Sequence, residues 1–185
     1  MNVDELKEKA EQVVREEFDP DLRCDLNLEK TFEKHPLIDD PQASALFSFQ
    51  PNEDDRLFVI VGSALPMIYP DYDLSADDLW AAHIGMEYFI KMGVAEDPDR
   101  RSPKFLAYLK MVSTVFQEQL YIYKPDTVKI EKVYMLNDQR HVVGIATFEN
   151  KNYTWIVGDI PHFVYKKALP PQMVWCLHMG RILLT

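Results

Sequence analysis

The sequence predicts an α+β fold: an antiparallel β-sheet with a C-terminal meander packed against two central helices, preceded by an N-terminal amphipathic helix. Three observations point there. Apolar residues recur at helical spacing at the N-terminus, two long segments in the middle of the chain are apolar on most sides, and from Thr127 onward the apolar period changes to two.

Val3, Leu6, Ala10, Val13, Val14 and Phe18 recur at three- and four-residue intervals, and everything between them is charged or Gln12, so 3–18 is read as a helix packed on one side. Asp19-Pro20-Asp21 stops it, because proline removes a donor and disfavours helical geometry before it. Leu22, Cys24, Leu26 and Leu28 then alternate with polar residues, the period of a strand with one wet face. His35 to Gln42 reads as loop. Ala45–Phe49 and Arg56–Ser63 read as two strands joined across 51–55, the second covered on both faces because Leu57 to Val61 has no polar interruption. Pro66, Pro70 and Asp71-Tyr72-Asp73 end this region.

Ser75 with Asp78 three residues on predicts a capped helix over Ala76–Met92, closed by Gly93 and largely buried. Gly85 in its middle suggests a second backbone passing close. Ser102-Pro103 opens another mostly covered helix, carrying Phe105, Leu109, Val112, Phe116 and Leu120 in one stripe and ending before Pro125. Thr127–Leu136, His141–Phe148 and Tyr153–Val157 read as an antiparallel meander joined by short polar loops, with a further short strand at His162–Lys166. Residues 172–184 follow Pro170-Pro171 and are read as a helix, although Val174, Trp175 and Ile182 to Leu184 suit a strand as well. The expectation is one sheet built from the N-terminal strands and the meander, in a single globular domain over 1–185 or two small, closely packed ones.

A chain of 185 residues buries roughly 70% of its unfolded surface, enough for a core without staples. Cys24 and Cys176 stand far apart with no metal-like spacing and are expected as buried thiols. The longest apolar run, Leu57 to Tyr69, is broken by Pro66 and falls short of the ~18 to 20 residues of a bilayer span, so no membrane partner is expected. The first residues, Met1-Asn2-Val3-Asp4-Glu5, show no basic start and no apolar stretch of a secretory signal, which makes a cytoplasmic location the expectation. Residues 1–100 carry nine Lys/Arg against 24 Asp/Glu, and residues 101–185 carry eleven against six. The acidic excess repels phosphate backbones, so nucleic acid is not expected as a partner; the asymmetry reads either as two parts that face each other so that their fields partly cancel, the plainer account, or as an acidic surface offered to a basic partner protein.

His83 and Glu87 stand four apart on the second helix and so share a face. A carboxylate beside an imidazole is the minimal acid–base pair, and with Trp80 and Tyr88 it defines a candidate pocket; the plainer reading is a hydrogen-bonded structural pair. Two ligands do not make a metal site. The loop of Asp71, Asp73, Ser75, Asp77 and Asp78 has the oxygen content of a calcium loop, but Ala76 and Ala82 fall where glycine and the bidentate Glu belong, so capping accounts for it better. Ser63 after Gly62 lacks the second glycine of a nucleophile elbow, and no phosphate-binding glycine motif occurs. His35, His141, His162 and His178 are scattered and read as structural. No cofactor is expected.

Two functional readings of different classes follow. One is a non-catalytic cytoplasmic interaction module offering its acidic N-terminal part to a partner. The other is a small-molecule hydrolase with His83 and Glu87 as its acid–base pair. The apolar end, Ile182-Leu183-Leu184, is expected to be covered by this chain or by a second copy in a homodimer.

Overall fold

A computed structural model describes residues 2–18, 20–21, 25–39, 42–92, 103–121, 129–135, 141–158, 163–165 and 169–185. The chain divides into two compact units, Met1–Glu87 with Gly180–Thr185, and Tyr88–Met179. The fold class is α+β with antiparallel sheets, as the sequence predicts.

In the first unit, helix α1 (Val3–Glu17) is closed at its start by Asn2, whose side chain accepts from the Glu5 N–H at 2.9 Å while the Glu5 carboxylate accepts from the Asn2 N–H at 3.0 Å. Strands β1 (Asn27–Phe32), β2 (Ser44–Phe49), β3 (Leu57–Val61) and β4 (Met67–Pro70) form an antiparallel sheet in sequential order. Alternation along β2 and β3 sends Ala45, Phe47, Phe49, Val59 and Val61 to one face, where they pack with Leu6, Ala10 and Val14 of α1. The opposite face meets helix α2 (Ala76–Met92): Trp80 stacks on Phe32, and His83 lies edge-on to Tyr69. Covering both faces explains why β2 is buried at every position and β3 from Phe58 to Val61.

Two details correct the sequence reading. The first strand runs from Asn27 to Phe32 rather than from Leu22 to Leu28; it is an edge strand, exposed at every position before Phe32, and its register slips between Leu28 and Lys30, so simple alternation does not describe it. Residues 22–24, the start of the expected strand, lie outside the described residues. Strand β4 was hidden by its prolines. Pro66 precedes it and Pro70 ends it on the free edge of the sheet, where a missing N–H costs no ladder bond. A close backbone approach lies one turn before Gly85, at Ala81, where a Cβ on Gly180 would come 1.6 Å from the carbonyl oxygen. Ser75 caps α2 as expected, its hydroxyl accepting from the Asp78 N–H at 3.1 Å; Gly93 lies outside the described residues.

In the second unit, β5 (Lys129–Met135), β6 (His141–Phe148), β7 (Lys151–Gly158) and β8 (Phe163–Tyr165) form the predicted meander as a sheet of its own. Among the described residues the strands thus make two four-stranded sheets and not one. The β6–β7 loop is tighter than expected, a two-residue turn with Glu149 and Asn150 both at positive φ (48° and 60°), which matches the twist of the flanking strands. Helix α3 (Pro103–Leu120) buries Phe105, Tyr108, Val112, Val115 and Phe116 against Val142, Ala146, Trp155 and Val157. Each fully buried large apolar side chain contributes about 1.5–3 kcal/mol. The helix is less covered than its composition suggests: Lys104, Leu106, Lys110, Thr114 and Glu118 form a solvent face. The C-terminal segment is a helix, α4 (Pro171–Leu183), begun at proline. No helix among the described residues is long and apolar enough to cross a membrane.

Candidate functional site

One helical turn separates His83 from Glu87 on α2, and the first unit brings three further groups to them. His83 Nε2 lies 3.1 Å from Glu87 Oε1. The Leu65 N–H, from the β3–β4 connection, donates to the same oxygen at 2.6 Å. His35, from the β1–β2 connection, places Nε2 2.9 Å from Glu87 Oε2, but off the line its N–H would take, so this contact is electrostatic rather than a directed hydrogen bond. On the far side of His83, the Tyr69 hydroxyl from β4 meets Nδ1 at 2.8 Å and lies 3.1 Å from Met67 Sδ. Trp80 closes the cluster: His83 stacks on it (5.7 Å between centroids, 15°) and His35 meets it edge-on (5.6 Å, 84°).

Proton positions follow from the partners. A carboxylate only accepts, so His83 carries its proton on Nε2 and takes the Tyr69 hydroxyl proton at Nδ1. The Leu37 N–H donates weakly to His35 Nδ1, at 3.4 Å, which leaves the His35 proton on Nε2 facing Glu87. Burial alone would push the Glu87 carboxyl up, and is the largest single influence on it. The contacts from His35, His83 and the Leu65 N–H, with the charge of His83, together outweigh burial and hold it at about 2. His83 moves the same way for a different reason: burial lowers it, and this exceeds the lift from Glu87. At neutral pH the cluster is therefore one carboxylate facing a neutral His83.

These groups have the order of a proton relay, Tyr69 to His83 to Glu87, yet they are sealed. The side chain of His83 is 0% exposed, that of His35 1% and that of Glu87 13%, and Tyr69 is 4% exposed. A substrate would reach Tyr69 or His83 only after the covering segments moved. With its proton on Nε2, His35 offers no lone pair beside Glu87, and among the described residues no group of three or more His, Cys, Asp and Glu is placed to hold a metal ion.

Of the residues singled out from the sequence, Trp80, His83 and Glu87 meet. Tyr88, the next residue along α2, belongs to the second unit, where its ring stacks on Trp175 (6.2 Å, 22°). His35, Tyr69 and the Leu65 amide were missed as members. In the acidic loop, Asp71 accepts from the Asp73 N–H at 2.7 Å, Asp78 pairs with Arg181 at 2.6 Å, and Asp77 pairs with Lys30 at 2.7 Å. Ser63 donates to the Gln42 carbonyl at 2.7 Å. Cys176 is buried, and burial pushes its thiol up to about 12; Cys24 and His162 lie outside the described residues. An open hollow of about 490 Å³ sits elsewhere on the first unit, lined by Glu5, Glu8, Lys9, Gln12 and Gln42.

The fold and site define an α+β protein with a closed polar cluster in its first unit. Comparison with protein-family models, with curated proteins and with solved structures returns no match, so the functional reading rests on the residues themselves.

Proposed function

We propose that this chain is a non-catalytic cytoplasmic interaction module whose acidic first unit binds a basic protein. The observation that carries this reading is the charge of that unit. Its residues, 1–87 and 180–185, hold 21 Asp/Glu against eight Lys/Arg, a net charge of −13, whereas the second unit holds nine against twelve. Even if every basic side chain were paired, thirteen carboxylates would remain uncompensated. Asp4, Glu5, Glu8, Glu16, Glu17, Glu53, Asp54, Asp55, Asp71 and Asp73 are exposed. Self-repulsion of this size costs stability and is offset when a positive surface docks, and the same field steers a basic partner while repelling phosphate backbones.

The test is capture by the tagged full-length chain from native lysate at about 0.05 M and about 0.5 M salt, where screening shortens the reach of exposed charges from over 10 Å to a few ångströms. A basic protein retained only at low salt, and lost to the charge-reversed variant Glu8→Lys/Glu16→Lys/Glu17→Lys, is the expected result. Equal retention by wild type and variant, or no salt-dependent protein, overturns the reading. Ile182 and Leu184, 39% and 40% exposed, support a second copy as a further partner, and sedimentation over a concentration series reads it directly.

The hydrolase reading is favoured by one contact, the 2.8 Å approach of the Tyr69 hydroxyl to His83 with Glu87 behind it. It requires chromogenic ester, amide or phosphoester turnover that Glu87→Gln abolishes at unchanged fold. The sealed geometry argues against that outcome.

A further inference from the structure

We propose that one end of the first unit is the docking site for a protein segment in which an apolar side chain is flanked by lysines or arginines. The apolar side chain seats on Phe18 and its neighbours, and the flanking cations meet the carboxylates around them. Resting on the reading of an acidic first unit that binds a basic protein, this adds where the partner docks and what it carries. The topology assembles the end. Antiparallel pairing sets the start of β1 beside the end of β2 (Asn27 with Ser48), the end of β2 beside the start of β3 (Phe49 with Leu57), and the start of β3 beside the end of β4 (Leu57 with Pro70). Helix α1 finishes over the same end, because Phe18, its C-terminal cap, meets Phe49 edge-on at 6.3 Å. Acidic side chains next to these element ends are thereby gathered. Glu17, Asp25, Glu53, Asp54, Asp55 and Asp71 are exposed, and among the described residues none of them pairs with a cation. Arg15 and Arg56 are already engaged, with Glu11 at 3.2 Å and Glu29 at 2.6 Å. In sequence, residues 16–25 hold five Asp/Glu against the single Arg23.

Apolar surface lies among these carboxylates. Phe18 is 51% exposed and Leu28 45%. Leu28 stands opposite Phe47 and Leu57 opposite Phe49, and directly paired residues of an antiparallel sheet share a face. Leu28 and the partly buried Leu57 therefore border the two phenylalanines on the side that α1 covers, where Phe18 rests on Phe49. One exposed apolar side chain is ordinary on a protein surface, whereas adjoining ones with a charged rim have the anatomy of a contact surface, an aromatic anchor inside a polar ring. Charge complementarity names the occupant. A second copy of this chain would set the same carboxylates against each other, and a phosphate-bearing partner would be repelled. Lysines and arginines beside an apolar residue satisfy both parts of the surface at once.

Fluorescence anisotropy of two dye-labelled peptides titrated with the full chain at about 0.05 M and about 0.5 M salt tests this. One peptide is Lys-Lys-Leu-Leu-Lys-Lys and the other Lys-Lys-Gly-Gly-Lys-Lys. At low salt the leucine peptide is expected to bind roughly tenfold tighter than the glycine peptide, the gain from burying apolar side chains, and both are expected to weaken at high salt. Glu53→Lys/Asp54→Lys, at the proposed end, is expected to weaken the leucine peptide by roughly fivefold or more. Glu8→Lys/Asp39→Lys, an equal change of charge placed on the middle of α1 and on the β1–β2 connection, is expected to weaken it much less. Phe18→Ser is expected to bring the two peptides to the same affinity, with circular dichroism reporting that each variant is folded; the peptide comparison on the wild type needs no variant. Equal affinity of the two peptides for the wild type, equal weakening by the two charge-reversed variants, or a folded Phe18→Ser chain that keeps the preference overturns the docking site while leaving the acidic unit a binder of basic protein. Absence of salt-dependent binding by both peptides overturns both.

Discussion

Replacing Glu87 by Gln keeps the side chain's size and removes the charge on which three groups converge. The carboxyl is held at about 2 against 4.5 in an unfolded chain, a difference worth on the order of 3 kcal/mol at neutral pH, and a side chain only 13% exposed loses little of this to solvent. The amide of Gln also brings two N–H donors into a space where His83 and Leu65 already donate and the N–H edge of His35 lies close by. We expect Glu87→Gln to cost about 3 kcal/mol and, at roughly 2–4 °C per kcal/mol for a chain this long, to lower the melting temperature by about 6–12 °C. The pH dependence has a definite sign. Because folding depresses Glu87, its stabilisation is complete above about 4.5 and is lost as pH falls from there towards 2. Because folding also lowers His83, its contribution is present above about 6.5 and is lost as pH drops below that. The wild type should weaken in both ranges. The variant should lack the lower step, since the group responsible is gone. Thermal melts of the two chains at pH 7.5, 5.5 and 3.5 measure this, and a Glu87→Gln chain melting within about 2 °C of wild type at pH 7.5 would refute the assignment of Glu87 as the hub.

Three further outcomes follow from the geometry. Gly180→Ala puts a Cβ 1.6 Å from the Ala81 carbonyl oxygen, a clash that only a shift of backbone relieves, so we expect a loss of about 3 kcal/mol or more by chemical denaturation; a wild-type midpoint would show that this helix crossing is not tight. Tyr121 follows α3 with φ at 57°, where a side chain is strained, and Tyr121→Gly should stabilise the chain by up to about 1 kcal/mol, seen as a raised midpoint. In a Cys24→Ser background, Cys176 should resist thiol reagents until the chain unfolds, because its buried thiol does not ionise near neutral pH; prompt native-state labelling would contradict its burial.

How far the sequence carries can be judged element by element. Where a local pattern decides the outcome, the reading holds: the spacing of Leu6, Ala10 and Val14, the Ser75 cap, and the β6 strand over His141–Phe148 all stand in the structure as expected. Where the outcome depends on position within a sheet, it does not. The slip between Leu28 and Lys30 is a property of pairing with β2, and the tolerance of Pro70 is a property of lying on an outer edge; neither is encoded within its own segment. The C-terminal meander is legible by itself, but no local signal says whether it joins the N-terminal strands, and among the described residues the two groups form separate sheets.

The same distinction divides the site. His83 and Glu87 could be paired from the sequence because one helical turn brings them together, and that spacing is a local fact. His35 and Leu65 reach Glu87 from connections 52 and 22 residues away along the chain, through sheet pairing that no spacing rule expresses. A physical clue to missing partners was nonetheless present. A carboxylate on a helix predicted to be buried needs more than one imidazole donor to stay ionised, since a single neutral partner does not offset the loss of hydration. That requirement could have directed attention to the histidine and the backbone amides of the two connections flanking the sheet. Satisfying a buried carboxylate thus specifies how many donors must converge on it, and only the topology decides which residues they are.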